Sequence, residues 1–432
     1  RFRAGEATHV VHDSGARALI FSSSLGDVAH GIDGLDELQT IVCIGGGDRP
    51  RGGLAYEPLI AHATPLAVPA RVAPSDLAII GYTSGTTGFP KGAQCSHRAV
   101  VTCTQLVPYV QGMVTNGSCT FIGSFSFVSA LWGILLPHLW TGATMRLAGA
   151  ADVDAWVAHL ERDDATYTWV PSPLVRAFRD ALVARPGALA NLRTVVHTGS
   201  KVPREFLASL VDVIGDQLIE TWGLTESIGP LTATTRADLD GACRADDVLA
   251  SVGRPVPTAE VAVLDAAGHP STAPGLTGEF VARADTLFSG YLGRPVPDLD
   301  AFTADGWFRT GDVGRFDDAG YAYIEDRCKD VVVSGGMNVY PAEVELAILT
   351  LPGVAECAVF GVPDDRWGET VAAAVVAEPG AALTGDAVVA HVQARLASFK
   401  KPTVVRFVDS LPRNASMKVQ KQVLREQFVA AG

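Results

Sequence analysis

The sequence lacks most of the short signatures that would assign it a chemistry at once. No CxxC or CxxC…H spacing occurs among its seven cysteines, Cys43, Cys95, Cys103, Cys119, Cys243, Cys328 and Cys357. Their odd number and wide scatter argue against a disulfide framework or a zinc site and fit a reducing compartment, so a cytoplasmic location is expected. No serine sits in a GxSxG pentapeptide, so a nucleophile-elbow esterase is not supported. HExxH is absent, and so is the GxxxxGK[ST] loop of common NTPases. The ten histidines are dispersed, and His97 reads as structural. Charge is scarce at 19%, and Lys and Arg (34) are outnumbered by Asp and Glu (47), a net −13. That balance argues against nucleic acid or an anionic membrane as a general partner, while leaving room for a local phosphate site.

Charge is missing altogether from Ala99 to Met145. Within that stretch Phe121–Trp140 has the length of a membrane span. Gly123, Ser124, Ser126, Ser129, Gly133, Pro137 and His138 interrupt it, and no Lys/Arg cluster flanks it. It reads as a buried segment of a soluble protein and a good place for an apolar pocket. No signal peptide opens the text. It begins at Arg1 in mid-pattern, so further residues are expected upstream.

What is present is an ordinary globular composition, 48% apolar over 432 residues. That length fits two or three domains. Short β-type runs (77–80, 194–197, 217–220, 261–265, 279–284) alternate with helical patterns near Val153–Glu161 and Arg204–Val213. The alternation predicts an α/β fold whose large N-terminal domain is built of mixed α/β subdomains. Past Asp326 the style changes. A strand-like 331–333 leads to Ser334-Gly335-Gly336, Pro341 stands at a first-turn position of a helix, and two more strands, an amphipathic helix (386–397) and a strand (404–408) follow. This is a small α+β domain of about 100 residues. The division is placed at 1–326 and 327–432.

The strongest chemical signal is Tyr82-Thr-Ser-Gly-Thr-Thr-Gly-Phe-Pro-Lys-Gly92. An apolar strand feeds a loop dense in glycine and hydroxyls, then a lysine. Glycines let backbone N–H groups approach phosphate oxygens. The hydroxyls of Thr83, Ser84, Thr86 and Thr87 donate hydrogen bonds and Lys91 adds charge. The bland alternative is an exposed turn.

This loop resembles the phosphate-binding signature of the adenylate-forming superfamily, which includes acyl-CoA synthetases, nonribosomal-peptide adenylation domains and firefly luciferase. The resemblance continues in order through Thr221-Trp-Gly-Leu-Thr-Glu226, Gly278-Glu279 with Gly290-Tyr291, Trp307-Phe-Arg-Thr-Gly-Asp312, Asp326-Arg-Cys-Lys-Asp330, Ser334-Gly-Gly-Met-Asn-Val-Tyr-Pro-Ala-Glu343 and Pro412-Arg-Asn-Ala-Ser-Met-Lys418. These segments span essentially the whole chain, and the style is closest to acyl-CoA synthetases.

By that resemblance Thr83, Ser84, Gly85, Thr86, Thr87, Gly88 and Lys91 hold the phosphates, with Thr86 among the catalytic groups. Gly199, Ser200, Trp222, Gly223 and Thr225 border the nucleotide, with Trp222 against the adenine where Tyr is commoner. Asp312 accepts from the ribose hydroxyls, Arg327 faces the nucleotide, and Glu226 is an Mg²⁺ ligand. Lys418 contacts the acid's carboxylate and the nucleotide. Lys329 is the pivot of a mobile C-terminal domain, and Gly335 and Gly336 border the channel for the CoA arm. Met417 replaces a common glycine, and Asp326 stands where glycine is frequent.

The resemblance implies two half-reactions. A carboxylate attacks Mg·ATP to give an acyl-adenylate and pyrophosphate, and then a thiol, that of CoA, displaces AMP. The acid's pocket falls on Phe125, Ser126, Phe127, Val128 and Trp132. Depending on register the key position is Ser126 or Val128, neither the Asp of amino-acid-activating relatives nor the His of many acyl-CoA synthetases. An unpaired substrate ammonium is costly in an uncharged stretch, so an apolar acid, aliphatic, alicyclic or aromatic, is expected. Ordinary core packing is the competing account of Phe125, Phe127 and Trp132. The acceptor stays open between CoA and a carrier-protein phosphopantetheine. A luciferase-like oxygenase and a non-catalytic relic are further alternatives, and a homo-oligomer is compatible with the sequence.

Overall fold

The computed structural model describes residues 3–50, 52–83, 90–122, 125, 128–148, 152–199, 201–239, 248–294, 301–413 and 418–430, with only the backbone of Val128. Its contacts fall into two units, one of residues 1–98, 288–298 and 414–418, the other of residues 99–287, 299–413 and 419–432. The 326/327 division expected from the change of style lies inside the second unit.

In the first unit the strands Ala18–Ser22, Thr40–Ile44 and Leu54–Ala55 form a parallel sheet. The strand Leu77–Thr83 pairs with Lys91–Ser96 as an antiparallel hairpin, register Thr83 to Lys91. Its connection, Ser84 to Phe89, lies outside the described residues. The Gly290 carbonyl accepts from the Gln94 N–H, so the Gly290-Tyr291 segment adds to the hairpin's second strand.

The second unit holds the α/β core. Five parallel strands lie in the order Leu218–Leu224, Thr194–Thr198, Tyr167–Pro171, Ser118–Phe121, Thr144–Leu147, and Gly229–Ala233 and Arg254–Pro255 extend the sheet antiparallel. Parallel strands need helical crossovers that cover both faces, which is why these strands read as apolar runs rather than alternating ones. One face packs Trp156, Leu160, Phe178, Leu182, Leu210 and Ile214 from the helices Val153–Arg162, Val175–Ala184 and Arg204–Ile214. The other packs Phe121, Ala130, Ile134, Tyr167, Val196 and Ile219.

The stretch weighed as a membrane span folds as the strand Ser118–Phe121, one π-helical turn Leu131–Leu135 and the short helix Leu136–Trp140. Among the described residues no helix is long and apolar enough to cross a membrane.

An antiparallel sheet follows, Pro270–Ser271, Ala259–Leu264, Gly278–Ala284, Phe308–Phe316 and Ala322–Arg327 in spatial order. Its strand Phe308–Phe316 alternates buried and half-buried residues, the period-2 signature of one covered face. Beyond Lys329 the strands Met337–Val339, Val332–Ser334, Gly368–Ala377 and Val354–Asp364 form a further sheet, joined by Val404–Phe407. The helices Pro341–Leu349 and Gly385–Gln393 pack on it through Val344, Ile348, Val388 and Val392.

Asp326 links this last sheet's first helix to the strand Ala322–Arg327. Its Oδ2 accepts the Ala342 N–H at 2.7 Å, satisfying a helix-start donor that has no partner within its own helix. Burial pushes the Asp326 carboxyl up from its ordinary pKa, partly countered by Lys421 and two backbone N–H groups. Burial lowers the Lys421 ammonium, and Glu345 (2.8 Å away) with Asp326 outweighs it, leaving the pKa raised. Replacing Asp326 by Ala removes the cap and one of Lys421's neighbours, against which stands relief from burying a carboxylate. The expected net cost is about 1 kcal/mol, read as a lowered thermal midpoint with lost amide-exchange protection at Ala342. Unchanged protection there would show that the cap does not hold the helix.

Candidate active site

The carboxyl ends of two of the parallel strands carry several of the residues singled out in the sequence. Thr198 and Gly199 end one strand, and Gly199 takes φ +110°. Ser200 lies outside the described residues. Trp222, Gly223 and Leu224 end the next strand, and Thr225 and Glu226 form the single 3-10 turn that follows. Gly223 is required by space. A Cβ there would stand 2.2 Å from the Gly229 carbonyl oxygen, where the strand Gly229–Ala233 doubles back.

Asp312 comes from the antiparallel sheet. It follows Gly311 (φ +72°) and is 4% exposed. Its Oδ2 accepts the Trp222 indole N–H at 2.9 Å, and its Oδ1 lies 2.6 Å from the Arg327 Nε of the adjacent strand. The Asp312 N–H donates to the Thr310 hydroxyl. The preceding bend is clamped by Glu279, whose Oε2 pairs with Arg309 at 2.6 Å while Oε1 accepts the Gly311 N–H at 3.2 Å. Three of the predicted nucleotide residues, Trp222, Asp312 and Arg327, therefore converge from three strands. Trp222 also satisfies the core reading. It is 8% exposed and packs on Phe280, ring centroids 5.3 Å apart.

Glu226 is buried at 9% exposure, one turn from Trp222. Among the described residues no group of three His, Cys, Asp or Glu side chains could hold a metal ion. A single carboxylate fits magnesium, which dehydrates reluctantly and is bound through one or two carboxylates together with substrate phosphates.

Of the phosphate loop, Ser84, Gly85, Thr86, Thr87 and Gly88 lie outside the described residues. Thr83 and Lys91 flank it as paired strand residues, and the Lys91 ammonium sits 5.1 Å from the Tyr291 ring centroid, a cation–π contact. Lys418 is described and exposed, while Asn414 to Met417 before it are not described. Lys329 is exposed in the turn after Ala322–Arg327. Gly335 and Gly336 (φ +57° and +78°) form a two-residue hairpin between Ser334 and Met337, a type I′ turn that needs both residues left-handed. A Cβ at Gly335 would also meet the ring of the exposed Trp367 at 2.7 Å, so that side chain would have to give way.

In the acyl region Ser126 and Phe127 lie outside the described residues. Phe125 is half-buried with its ring 4.7 Å from that of Phe121. Trp132 is 2% exposed within the π-helical turn, as core packing would have it.

Sequence reasoning missed one buried relay. His197 Nδ1 lies 2.8 and 2.9 Å from the two Glu220 oxygens, and its Nε2 lies 2.9 Å from the Ser172 hydroxyl. With Nδ1 protonated, Nε2 accepts from Ser172. Val170, His197 and Glu220 are register partners on adjacent strands, so the relay ties three strand ends together. The signal was available. His197 stands two residues before Gly199 and Glu220 two before Trp222, the strand period.

Two family models match the chain, "AMP-binding enzyme" over residues 1–292 and "AMP-binding enzyme C-terminal domain" over residues 343–418. The chain belongs to the AMP-binding enzyme family. It is an AMP-forming acid–thiol ligase of the adenylate-forming fold. It is 34% identical, over 99% of its length and 82% of the relative's, to a 3-[(3aS,4S,7aS)-7a-methyl-1,5-dioxo-octahydro-1H-inden-4-yl]propanoyl:CoA ligase of Rhodococcus jostii. It is 32% identical, with the same coverage, to a feruloyl-CoA synthase of an Amycolatopsis species. Among solved structures, ATP-bound MatB from Rhodopseudomonas palustris superposes with a TM-score of 0.84 at 29% identity, over 99% of this chain and 82% of that one.

The Gly223 backbone contact gives a direct test. Gly223→Ala forces the strand end off the Gly229 carbonyl. It should destabilise the protein by about 2–3 kcal/mol and raise the KM for ATP in whatever fraction folds. An unchanged melting midpoint would remove the steric assignment.

Proposed function

We propose that this chain is an ATP-dependent carboxylate–CoA ligase acting on an apolar, ring-bearing acid. The observation that carries the reading is the convergence of Trp222, Asp312 and Arg327 from three strands, with the buried Glu226 one turn from Trp222. An aromatic face, a fixed carboxylate and a guanidinium suit the adenine, the ribose and the phosphates of a nucleotide. ATP and CoA are the co-substrates. The ring-bearing acids named in the two relatives, a fused bicyclic propanoate and a feruloyl group, agree with an uncharged acyl region that carries neither Asp nor His at Ser126 or Val128.

In this reading the Ser84–Gly88 loop and Lys91 cradle the polyphosphate, with Thr86 at the transferring end. Magnesium, when bound by Glu226 and the phosphates, neutralises phosphate charge. The acid's carboxylate oxygen attacks the α-phosphorus. Lys418 stabilises the negative charge that develops there and leaves with pyrophosphate. Residues 327–432 then reorient about Lys329, withdrawing Lys418 and bringing the Gly335-Gly336 turn to the thiol channel. The thiol, deprotonated, attacks the acyl carbonyl and AMP departs. The enzyme acts in the cytoplasm, in keeping with cysteines that form no disulfide among the described residues.

Pyrophosphate release across a panel of aliphatic, alicyclic and aromatic acids, with and without CoA, tests this reading. Ring-bearing acids should give turnover that needs CoA to continue. Turnover sustained only by a phosphopantetheinylated carrier protein would move the acceptor, and no release with any acid would end the proposal. Lys418→Ala should slow adenylate formation by at least about a hundredfold while preformed acyl-adenylate is still converted to thioester. Equal loss in both steps would refute that division of labour.

A further inference from the structure

The aromatic residue at position 222 does more than present a ring. We propose that Trp222 is a positioning residue for sugar recognition: its indole N–H fixes the plane of the Asp312 carboxylate, so that this acceptor distinguishes a ribose from a deoxyribose. The inference rests on the reading of Asp312 as the ribose acceptor and adds a role for the indole nitrogen.

Asp312 is held from two sides. The Trp222 Nε1–H donates to Oδ2 at 2.9 Å, and Arg327 Nε pairs with Oδ1 at 2.6 Å. These contacts, one on each oxygen, restrain the carboxylate's turn about its Cβ–Cγ bond, a broad, two-fold torsion with little intrinsic preference. The indole is itself immobile. It packs on Phe280 and shares a core cluster with Leu231, Val263 and Phe316. Arg327, by contrast, has a 39% exposed side chain and can shift when a nucleotide arrives. The rigid half of the clamp is therefore the tryptophan.

Trp222 lies on the strand Leu218–Leu224 and Asp312 on Phe308–Phe316, two different sheets. The N–H bond thus fixes the distance between the ring and the carboxylate as well as the carboxylate's plane. A phenylalanine would keep most of the apolar contact without any donor. A tyrosine would carry its hydroxyl at the far end of the ring, away from the position of Nε1. Hydrogen bonds to charged groups are the stronger kind, and this one joins two groups that are almost fully buried.

The test compares ATP, 2′-deoxy-ATP, 3′-deoxy-ATP and GTP in pyrophosphate release by the wild-type chain and by Trp222→Phe. The variant should show a KM for ATP raised about tenfold with kcat changed by less than about twofold. Its preference for ATP over the two deoxy nucleotides should shrink by about the same factor, while its preference for ATP over GTP stays put. A merely structural role would lower activity with all four nucleotides alike. That result, or an unmoved ATP-to-deoxy ratio, overturns the proposal. Should Trp222→Phe fail to fold, site-specific benzothienylalanine at position 222 replaces the N–H by sulfur with the bicyclic shape kept, and the same ratios decide. No release by the wild-type chain from any of the four nucleotides would sink the underlying reading first. Normal wild-type release with unmoved ratios would sink only the inference about Trp222.

Discussion

A carboxylate that is 4% exposed needs a reason to be where it is. Asp312 sits mid-strand in an antiparallel sheet, and an isolated ionised carboxylate there would be costly. It is tolerable because a guanidinium on the neighbouring strand and an indole N–H from the parallel sheet both reach it. Much of the surrounding construction serves that arrangement. Gly311 bends the strand, Glu279 holds the bend through Arg309 and the Gly311 N–H, and the register of the pair Asp312–Arg327 places the guanidinium beside the carboxylate. Removing one partner would take away part of what satisfies a buried charge, which is why the group behaves as a unit.

Glycine serves the chain in physically different ways. At position 223 the backbone of the returning strand leaves no room for a Cβ. At 335 and 336 the reason is a two-residue hairpin turn whose residues must both be left-handed, with Trp367 crowding the first. That turn accounts for both glycines without any channel. A large residue at 336 would strain the hairpin whatever passes beside it, so loss of thioester formation in such a variant is informative only when the melting midpoint is preserved.

Most of the architecture was legible because it rests on local pattern. Short apolar runs bounded by turn residues became the parallel strands, and helices such as Val153–Arg162 and Arg204–Ile214 announced themselves by spacing. The site was legible only in pieces. Trp222 and Asp312 were each marked by the motif around them, but the bond between them spans 90 residues and two sheets, and no local pattern encodes it. The relay of Ser172, His197 and Glu220 was hidden for the same reason, although its members fall on the strand period. The change of style past Asp326 marks no break in the contacts around it. The cap from Asp326 to Ala342 and the cluster around Lys421 bind the helix Pro341–Leu349 to the strand Ala322–Arg327, so contacts run straight across the sequence boundary.

The uncharged stretch Ala99–Met145 makes the choice of acid a matter of electrostatics. Its one readily titratable ring, His138, is 3% exposed and donates to the Ile134 carbonyl at 2.7 Å, and burial lowers its pKa, so it stays neutral at physiological pH. Phe121, Ile134, Tyr167 and Val196 pack together in one apolar cluster. The Tyr167 hydroxyl is spent on Gln111. A substrate ammonium held by this stretch would give up its water and gain no anion from the stretch's own side chains in exchange, which is costly. A ring bearing only weakly polar groups has no such cost and gains with every buried carbon. The same absence of charge that made the segment look like a membrane span therefore favours a neutral, bulky acyl group.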